Sequence, residues 1–264
     1  QQCNSMQHER FGGMRNDTAK TPTEEELRIA ERAYEEADPT QFSALNLEQE
    51  PSEIGRVPFK ANRVVTDGTD TFFSLGDSSS PNAQKFTSRV LKGIIPVSDI
   101  VSVTDSPNLY SKKLPHERIT GEAVSDADLL ADTELLYQVF GDYDHLDEGD
   151  STHNALIENE QVSYHDFQMT NLTSQIIALR KTHTPESLEK LLSHLRALSK
   201  RLSGEEGLHF LEAVLRDTEL TAKSFYKSNT ASAEDLQNTL MRRIGNAEAF
   251  ARMKRSELQQ ETAS

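Results

Sequence analysis

At 264 residues the chain is long enough for one large domain or two small ones, and a 35% hydrophobic content with 11 Phe supplies a modest core. A formal charge of −15 and a pI near 5.0 argue against a general nucleic-acid binder, because neutralising phosphates needs a cationic face. The single cysteine, Cys3, excludes an internal disulfide framework and a Cys-based zinc site, and no stretch reads as a bilayer-crossing segment or a signal peptide.

A chain that starts on Gln reads as a processed form or an excised piece. Residues 1–22 are polar and carry Gly12-Gly13, the texture of a flexible leader. "TPTEEELRIAERAYEEA" follows, with Thr21 as N-cap, Pro22 at the first position, acidic residues in the first turn, and Leu27, Ala30 and Tyr34 on one face. It predicts a short helix within a helical extension over 23–55.

From Arg56 the texture changes. "RVPFKANRVVTDGTDTFFSLG" places β-branched and aromatic runs on both sides of Asp67-Gly68, a hairpin signature. "PNAQKFTSRVLKGIIPVSDIVSV" predicts a helix ending near Gly93, then a strand around Ile100 to Val103 with Pro96 fixing its entry. "NLYSKKLP", Asn108 to Pro115, reads as a short strand leaving this β-rich lobe of 56–115, equally well as an ordinary edge strand with solvated Lys112 and Lys113.

In 116–264, "SDADLLADTELLYQVFG" has Ser125 as cap and Leu129, Leu130, Thr133, Leu136, Val139 and Phe140 at helical spacing, ending at Gly141. Then comes "GDYDHLDEGDSTHNALIENEQVSYHDF", in which "ALIE" and "VSYHDF" read as a hairpin. Beyond Thr173 nearly everything predicts helix: Ser174–Arg180, Pro185–Leu202, Glu205–Asp217, Thr221–Tyr226 and Ala233–Gln259, fraying after Met253.

The acidic segment is the densest run of chemistry-bearing groups. Moving a phosphoryl group from ATP needs a carboxylate to orient the acceptor hydroxyl and oxygen ligands to hold magnesium against the phosphates. Kinases arrange these in a fixed order: an Asp in a loop after a buried helix, an Asn, a hairpin, then a second Asp before an aromatic residue. Here that order is Asp144, Asn154, "ALIE…VSY", and Asp166-Phe167.

On those residues, "GDYDH…N…YHDF" resembles the catalytic and metal-binding segments of the atypical kinases, the group that contains the phosphatidylinositol kinases and the HipA-like kinases. The resemblance spans about residues 56 to 180 and is specific only in segment 141–168. It implies an α+β fold with a small β-rich N-lobe (56–115) and a mainly helical C-lobe (116–264). It implies Asp144 as the catalytic carboxylate and Asn154 with Asp166 as ligands of Mg2+, which Mn2+ could replace. Leu109 and Leu114 would line the adenine pocket, with Ile157 as its floor.

The chain departs from the family pattern at several points. His145 follows Asp144 with no Arg between them, and "LDEGD" lengthens the interval to Asn154, so Asp142, Asp147 and Asp150 stay as rival catalytic carboxylates. Gln168 stands where a Gly is usual. There is no glycine-rich phosphate loop, and Ser74-Leu75 occupies the place of a phosphate-binding Lys, leaving Lys60 or Lys85 to supply that charge. A calcium loop fails on spacing, since counting from Asp142 puts Asp147 at the glycine position and His153 at the glutamate position. His145, His153 and His165 could form a zinc set by residue type, but no His-x-x-x-His helix accompanies them.

"PESLEKLLSHLRALSKRLSG" carries six leucines on one face and Lys190, His194, Arg196, Lys200 and Arg201 around the other. A second basic group is Arg242, Arg243, Arg252, Lys254 and Arg255. Either is a solvated face or a site for a polyanion such as a phosphoinositide headgroup. The resemblance thus implies an ATP-dependent kinase whose acceptor is a phosphatidylinositol or a protein hydroxyl, cytoplasmic or secreted into a host cytosol as a bacterial effector, with peripheral membrane contact. The competing expectations are a pseudokinase that keeps the fold without catalysis and a helical scaffold with no nucleotide site.

Overall fold

The computed structural model describes residues 47, 49–56, 63–75, 81–103, 106–113, 117–118, 126–142, 155–158, 161–164, 172, 176, 178–179, 183–226 and 231–263. All belong to one compact unit, Pro39–Ser264. The leader of 1–22 and the helix predicted from Thr21 onward fall outside them.

The architecture is mixed α+β: an antiparallel five-stranded sheet followed by a mostly helical remainder. The strands are β1 (Ser52–Arg56), β2 (Arg63–Thr66), β3 (Thr71–Ser74), β4 (Ile100–Ser102) and β5 (Leu109–Lys113), in the order β1-β2-β3-β5-β4. The turn between β2 and β3 is built by short polar side chains. The Asp67 carboxylate accepts from the backbone N–H groups of Asp70 at 2.7 Å and Thr69 at 2.8 Å, and those bonds hold its pKa below the usual carboxylate range. Thr66 donates its hydroxyl to the Asp70 carbonyl at 2.8 Å.

Two findings differ from the sequence reading. The sheet begins at Ser52, before the texture change at Arg56, because β1 is an edge strand whose only large apolar residue, Ile54, is exposed. The β5 strand is interior, paired with β3 on one side and β4 on the other, so its two lysines do not mark an edge. Alternation puts Val65, Phe72, Val101, Val103 and Tyr110 in one buried cluster, and Leu75, Ile100 and Leu109 in another.

Helix α1 (Pro81–Leu91) crosses between β3 and β4 and is buried from Ala83 to Leu91, polar residues included. Its charges are therefore paired. Arg89 donates to the Ile100 carbonyl at 2.9 Å and to the Asp217 carboxylate at 3.0 Å. Its carbonyl end is capped from a distance by Arg201, which donates to the Val90 and Lys92 carbonyls at 2.7 and 2.8 Å.

The helical part comprises α2 (Asp126–Leu135), continued by a π-turn over Leu136–Phe140, then α3 (Pro185–Leu202), α4 (Gly204–Asp217), a 3₁₀ turn (Ala222–Phe225) and α5 (Ala233–Ala263). Helix α3 starts where its sequence says it should. Thr184 accepts the Ser187 N–H at 3.1 Å, Ser187 accepts the Thr184 N–H at 3.0 Å, and Pro185 opens the helix. Its Leu188, Leu191, Leu192, Leu195, Leu198 and Leu202 are fully buried, each worth about 1.5–3 kcal/mol of apolar burial. Helix α5 runs on through Met253 to Ala263 where fraying was expected. At Ile176, Ala178 and Leu179, within the helix expected over Ser174–Arg180, the chain is not helical.

A second, three-stranded sheet, β6 (Glu117–Arg118), β7 (Ala155–Glu158) and β8 (Gln161–Tyr164), joins the two parts. Tyr164 anchors it. Its N–H donates to the Pro96 carbonyl at 2.8 Å, and its carbonyl accepts from the Ser98 N–H at 2.9 Å. The α1–β4 connection and the hairpin are thereby one continuous hydrogen-bonded surface.

Candidate functional site

In sequence the acidic segment follows a specific device. Helix α2 widens into the π-turn, and Gly141 then takes a left-handed conformation (φ 71°) with its N–H on the Tyr137 carbonyl at 2.9 Å. Asp142 follows, fully buried, with its N–H 3.3 Å from the Leu136 carbonyl. Of the four acidic residues considered as catalytic carboxylate, Asp142 alone lies in the described residues.

On the far side, the hairpin pairs Ala155 with Tyr164, Leu156 with Ser163, Ile157 with Val162 and Glu158 with Gln161. Its open end is the Ala155–Tyr164 pair. In the sequence, Asn154 immediately precedes this end and Asp166 follows it by two residues. Asp144, Asn154 and Asp166 themselves lie outside the described residues, as do Asp147, Asp150, Lys60, Leu114, His145, His153 and His165. Ile157 sits in the middle of β7, opposite Val162.

Lys85 is placed, and its surroundings are particular. It lies on α1, 3% exposed, with Nζ donating to the Asp217 carbonyl at 2.7 Å and to the Ser102 hydroxyl at 3.3 Å, and 3.4 Å from the Asp217 carboxylate. Burial pulls its pKa below the usual lysine value, opposed by Asp217. Leu109 is also buried, packed with Leu75 and Ile100. Lys85 thus ties α1 to the end of α4, and Leu109 packs within the sheet's second cluster.

Behind the π-turn lies a buried polar network that the sequence reading missed. Glu134 accepts from the Gln138 amide at 2.7 Å and faces His183 Nε2 at 3.1 Å, while His183 Nδ1 lies 3.0 Å from the Ser187 hydroxyl. Carboxylate, imidazole and hydroxyl in this order have the composition of a hydrolytic triad. All three side chains are sealed from solvent, however, and Ser187 is already part of the α3 cap. The network is a strut. Two residues earlier on α2, Asp132 lies 3.0 Å from His194 Nε2. Burial, with the Asp132 carboxylate as the next cause, pushes the Tyr164 phenol well above its ordinary pKa.

Arg243 was counted with a surface basic group but is buried on α5. Its Nη1 donates to the Val139 carbonyl at 3.2 Å and the Gln138 carbonyl at 3.4 Å, and its Nη2 to the Leu172 carbonyl at 3.1 Å. Four further cations of the two groups are paired. Lys190 pairs with Asp128 at 2.5 Å, Arg252 lies 3.9 Å from Glu248, Lys254 pairs with Glu257 at 3.0 Å, and Arg255 contacts Glu189. These ion pairs put carboxylates beside part of each expected basic face. No sequence signal identifies the partners, since each pair but the short-range ones joins different helices.

Among the described residues no group of three or more His, Cys, Asp or Glu side chains is placed to hold a metal ion; the two expected magnesium ligands are not among those residues. No described helix is long and apolar enough to cross a membrane. No protein-family model matches the chain, and no curated protein matches it.

Proposed function

We propose that the chain is an ATP- and magnesium-dependent phosphotransferase of the atypical-kinase type, with a small sheet-containing lobe and a helical lobe. The observation that carries the reading is the Ala155–Tyr164 pair at the open end of the β7–β8 hairpin. A hairpin between Asn154 and Asp166 is what the spacing of those two residues requires if they are to share one ion. Further support comes from the order of the parts: a five-stranded antiparallel sheet with one helix between its third and fourth strands, then a buried helix, the acidic segment and the hairpin.

In this reading Asp144 orients the acceptor hydroxyl and takes its proton as the acceptor oxygen bonds to the γ-phosphorus and the bond to the ADP oxygen breaks. Asn154 and Asp166 offer an amide oxygen and a carboxylate, a hard oxygen donor set that suits Mg2+ and also Mn2+. The ion, when bound, neutralises charge on the phosphates. A phosphatidylinositol headgroup is the first acceptor to test, on the likeness of "YHDF" to the lipid kinases, and a protein Ser or Thr the second. The test is transfer of labelled γ-phosphate to each acceptor, with Asp166→Ala as control.

A second reading is favoured by one observation: β3, Thr71–Ser74, carries no lysine, and Lys85 is buried against Asp217. Kinases place a lysine on this strand against the phosphates. A pseudokinase that binds nucleotide without transferring phosphate fits that absence. An ATP-induced thermal shift with no transfer on any acceptor would select it.

A further inference from the structure

We infer that Arg243 is a positioning residue for the acidic segment, fixing from helix α5 the spacing between its two flanks; the inference rests on the phosphotransferase reading. Three carbonyls from two separated stretches converge on one guanidinium. Gln138 and Val139 belong to the π-turn that launches the segment, and Leu172 lies beyond Asp166-Phe167 at its other end. Between them in the sequence stand Asp144, Asn154 and Asp166.

A cation at a helix C-terminus is common and needs no function, since it answers orphan carbonyls and the helix dipole. Arg201 is such a case, with both its carbonyl partners at the end of α1. Arg243 differs because its two terminal nitrogens reach different parts of the chain. The guanidinium is planar and its donors diverge at fixed angles, so it sets the separation of Val139 and Leu172 as well as satisfying them. Its own mount is stiff: Leu240, Ile244, Ala247 and Ala251 of α5 are all in the main core, and Arg243 is 6% exposed. A lysine keeps the charge but presents one nitrogen, which cannot hold both flanks at that spacing.

The test compares Arg243→Lys and Arg243→Gln with Arg201→Lys, a capping arginine outside the proposed site. Steady-state transfer from Mg-ATP to phosphatidylinositol vesicles and to a generic protein substrate gives kcat and KM for ATP. Hydrogen exchange is followed in peptides covering Gly141–Asp142 and Leu172. Arg243→Lys is expected to lower kcat by about 100-fold, the scale of a misplacement near 1 Å, with KM for ATP unchanged. Exchange at both flanks should rise together, while Arg201→Lys at equal loss of Tm keeps kcat. Unchanged kcat in Arg243→Lys, or an equal loss in Arg201→Lys, overturns the inference. A wild type that transfers phosphate to no acceptor sinks the phosphotransferase reading and the positioning role with it; the exchange data then show separately whether the clamp exists.

Discussion

Lys85 and Asp217 meet across the join between α1 and α4, Lys85 Nζ donating to the Asp217 main-chain carbonyl at 2.7 Å while standing 3.4 Å from its carboxylate. Arg89 reaches the same carboxylate at 3.0 Å. One partly covered acid therefore serves two buried cations. Asp217→Asn should cost about 3–5 kcal/mol, because it removes the carboxylate that two desolvated cations share. Lys85→Met, which removes one of those charges, should cost less. Urea denaturation of both variants gives the comparison, and an Asp217→Asn protein as stable as wild type would refute the account of the join.

Tyr110 gives a pH test. Its hydroxyl donates to Glu50 at 2.5 Å, and burial, followed by that bond and the Glu50 charge, pushes its pKa up to about 12. The raised folded pKa means the native state holds its proton more tightly than the unfolded chain. The contribution to stability is complete below pH 10 and is lost as pH rises from 10 through about 12. Spectrophotometric titration near 295 nm should show a late-titrating phenol that disappears in Tyr110→Phe and moves to lower pH in Glu50→Gln. An unchanged profile in Glu50→Gln would show that the carboxylate plays no part.

Gly207 is required by contact rather than by backbone angle. A Cβ there would stand 2.2 Å from the Leu202 carbonyl carbon, main chain rather than a movable side chain. Gly207→Ala should force α3 and α4 apart at their corner and destabilise by about 3 kcal/mol or more, beyond the usual range for overpacking. Thermal unfolding of the variant decides it, and a Tm within a degree of wild type would contradict the packing of the corner.

The Glu134 network should behave as a support. Glu134→Leu takes the buried carboxylate from the His183 ring and the Gln138 amide, leaving them the Ser187 hydroxyl and the Ala178 carbonyl, a loss of about 3 kcal/mol. If the network instead did chemistry, Glu134→Gln would abolish an activity while leaving Tm nearly intact. Unfolding curves read beside phosphate transfer separate the two.

Where local rules and tertiary packing agree, the fold was legible. The Pro185–Leu202 helix with its leucine stripe, the Asp67-Gly68 turn and the "ALIE…VSY" hairpin all follow from short-range chemistry and periodicity. What escaped depends on distant partners. β1 has one apolar residue and no alternation to reveal it. Lys112 and Lys113 gave an interior strand the look of an edge. Lys85, Arg89 and Arg243 are charged residues in buried places, tolerable only because Asp217 and main-chain carbonyls far along the sequence come to meet them. The candidate site is readable as an order of residues along the chain, Asp144, Asn154 and Asp166, which lie outside the described residues; the structure describes the hairpin between the last two and the Arg243 contacts with Gln138, Val139 and Leu172.

The most direct test of the central proposal is transfer of labelled γ-phosphate from Mg-ATP by wild type and Asp166→Ala, offered phosphatidylinositol vesicles, a generic protein substrate and the protein itself. The account predicts labelled product with wild type and its loss with Asp166→Ala and with chelation of the metal. Equal labelling by both proteins, or no labelling together with no ATP binding, would contradict it.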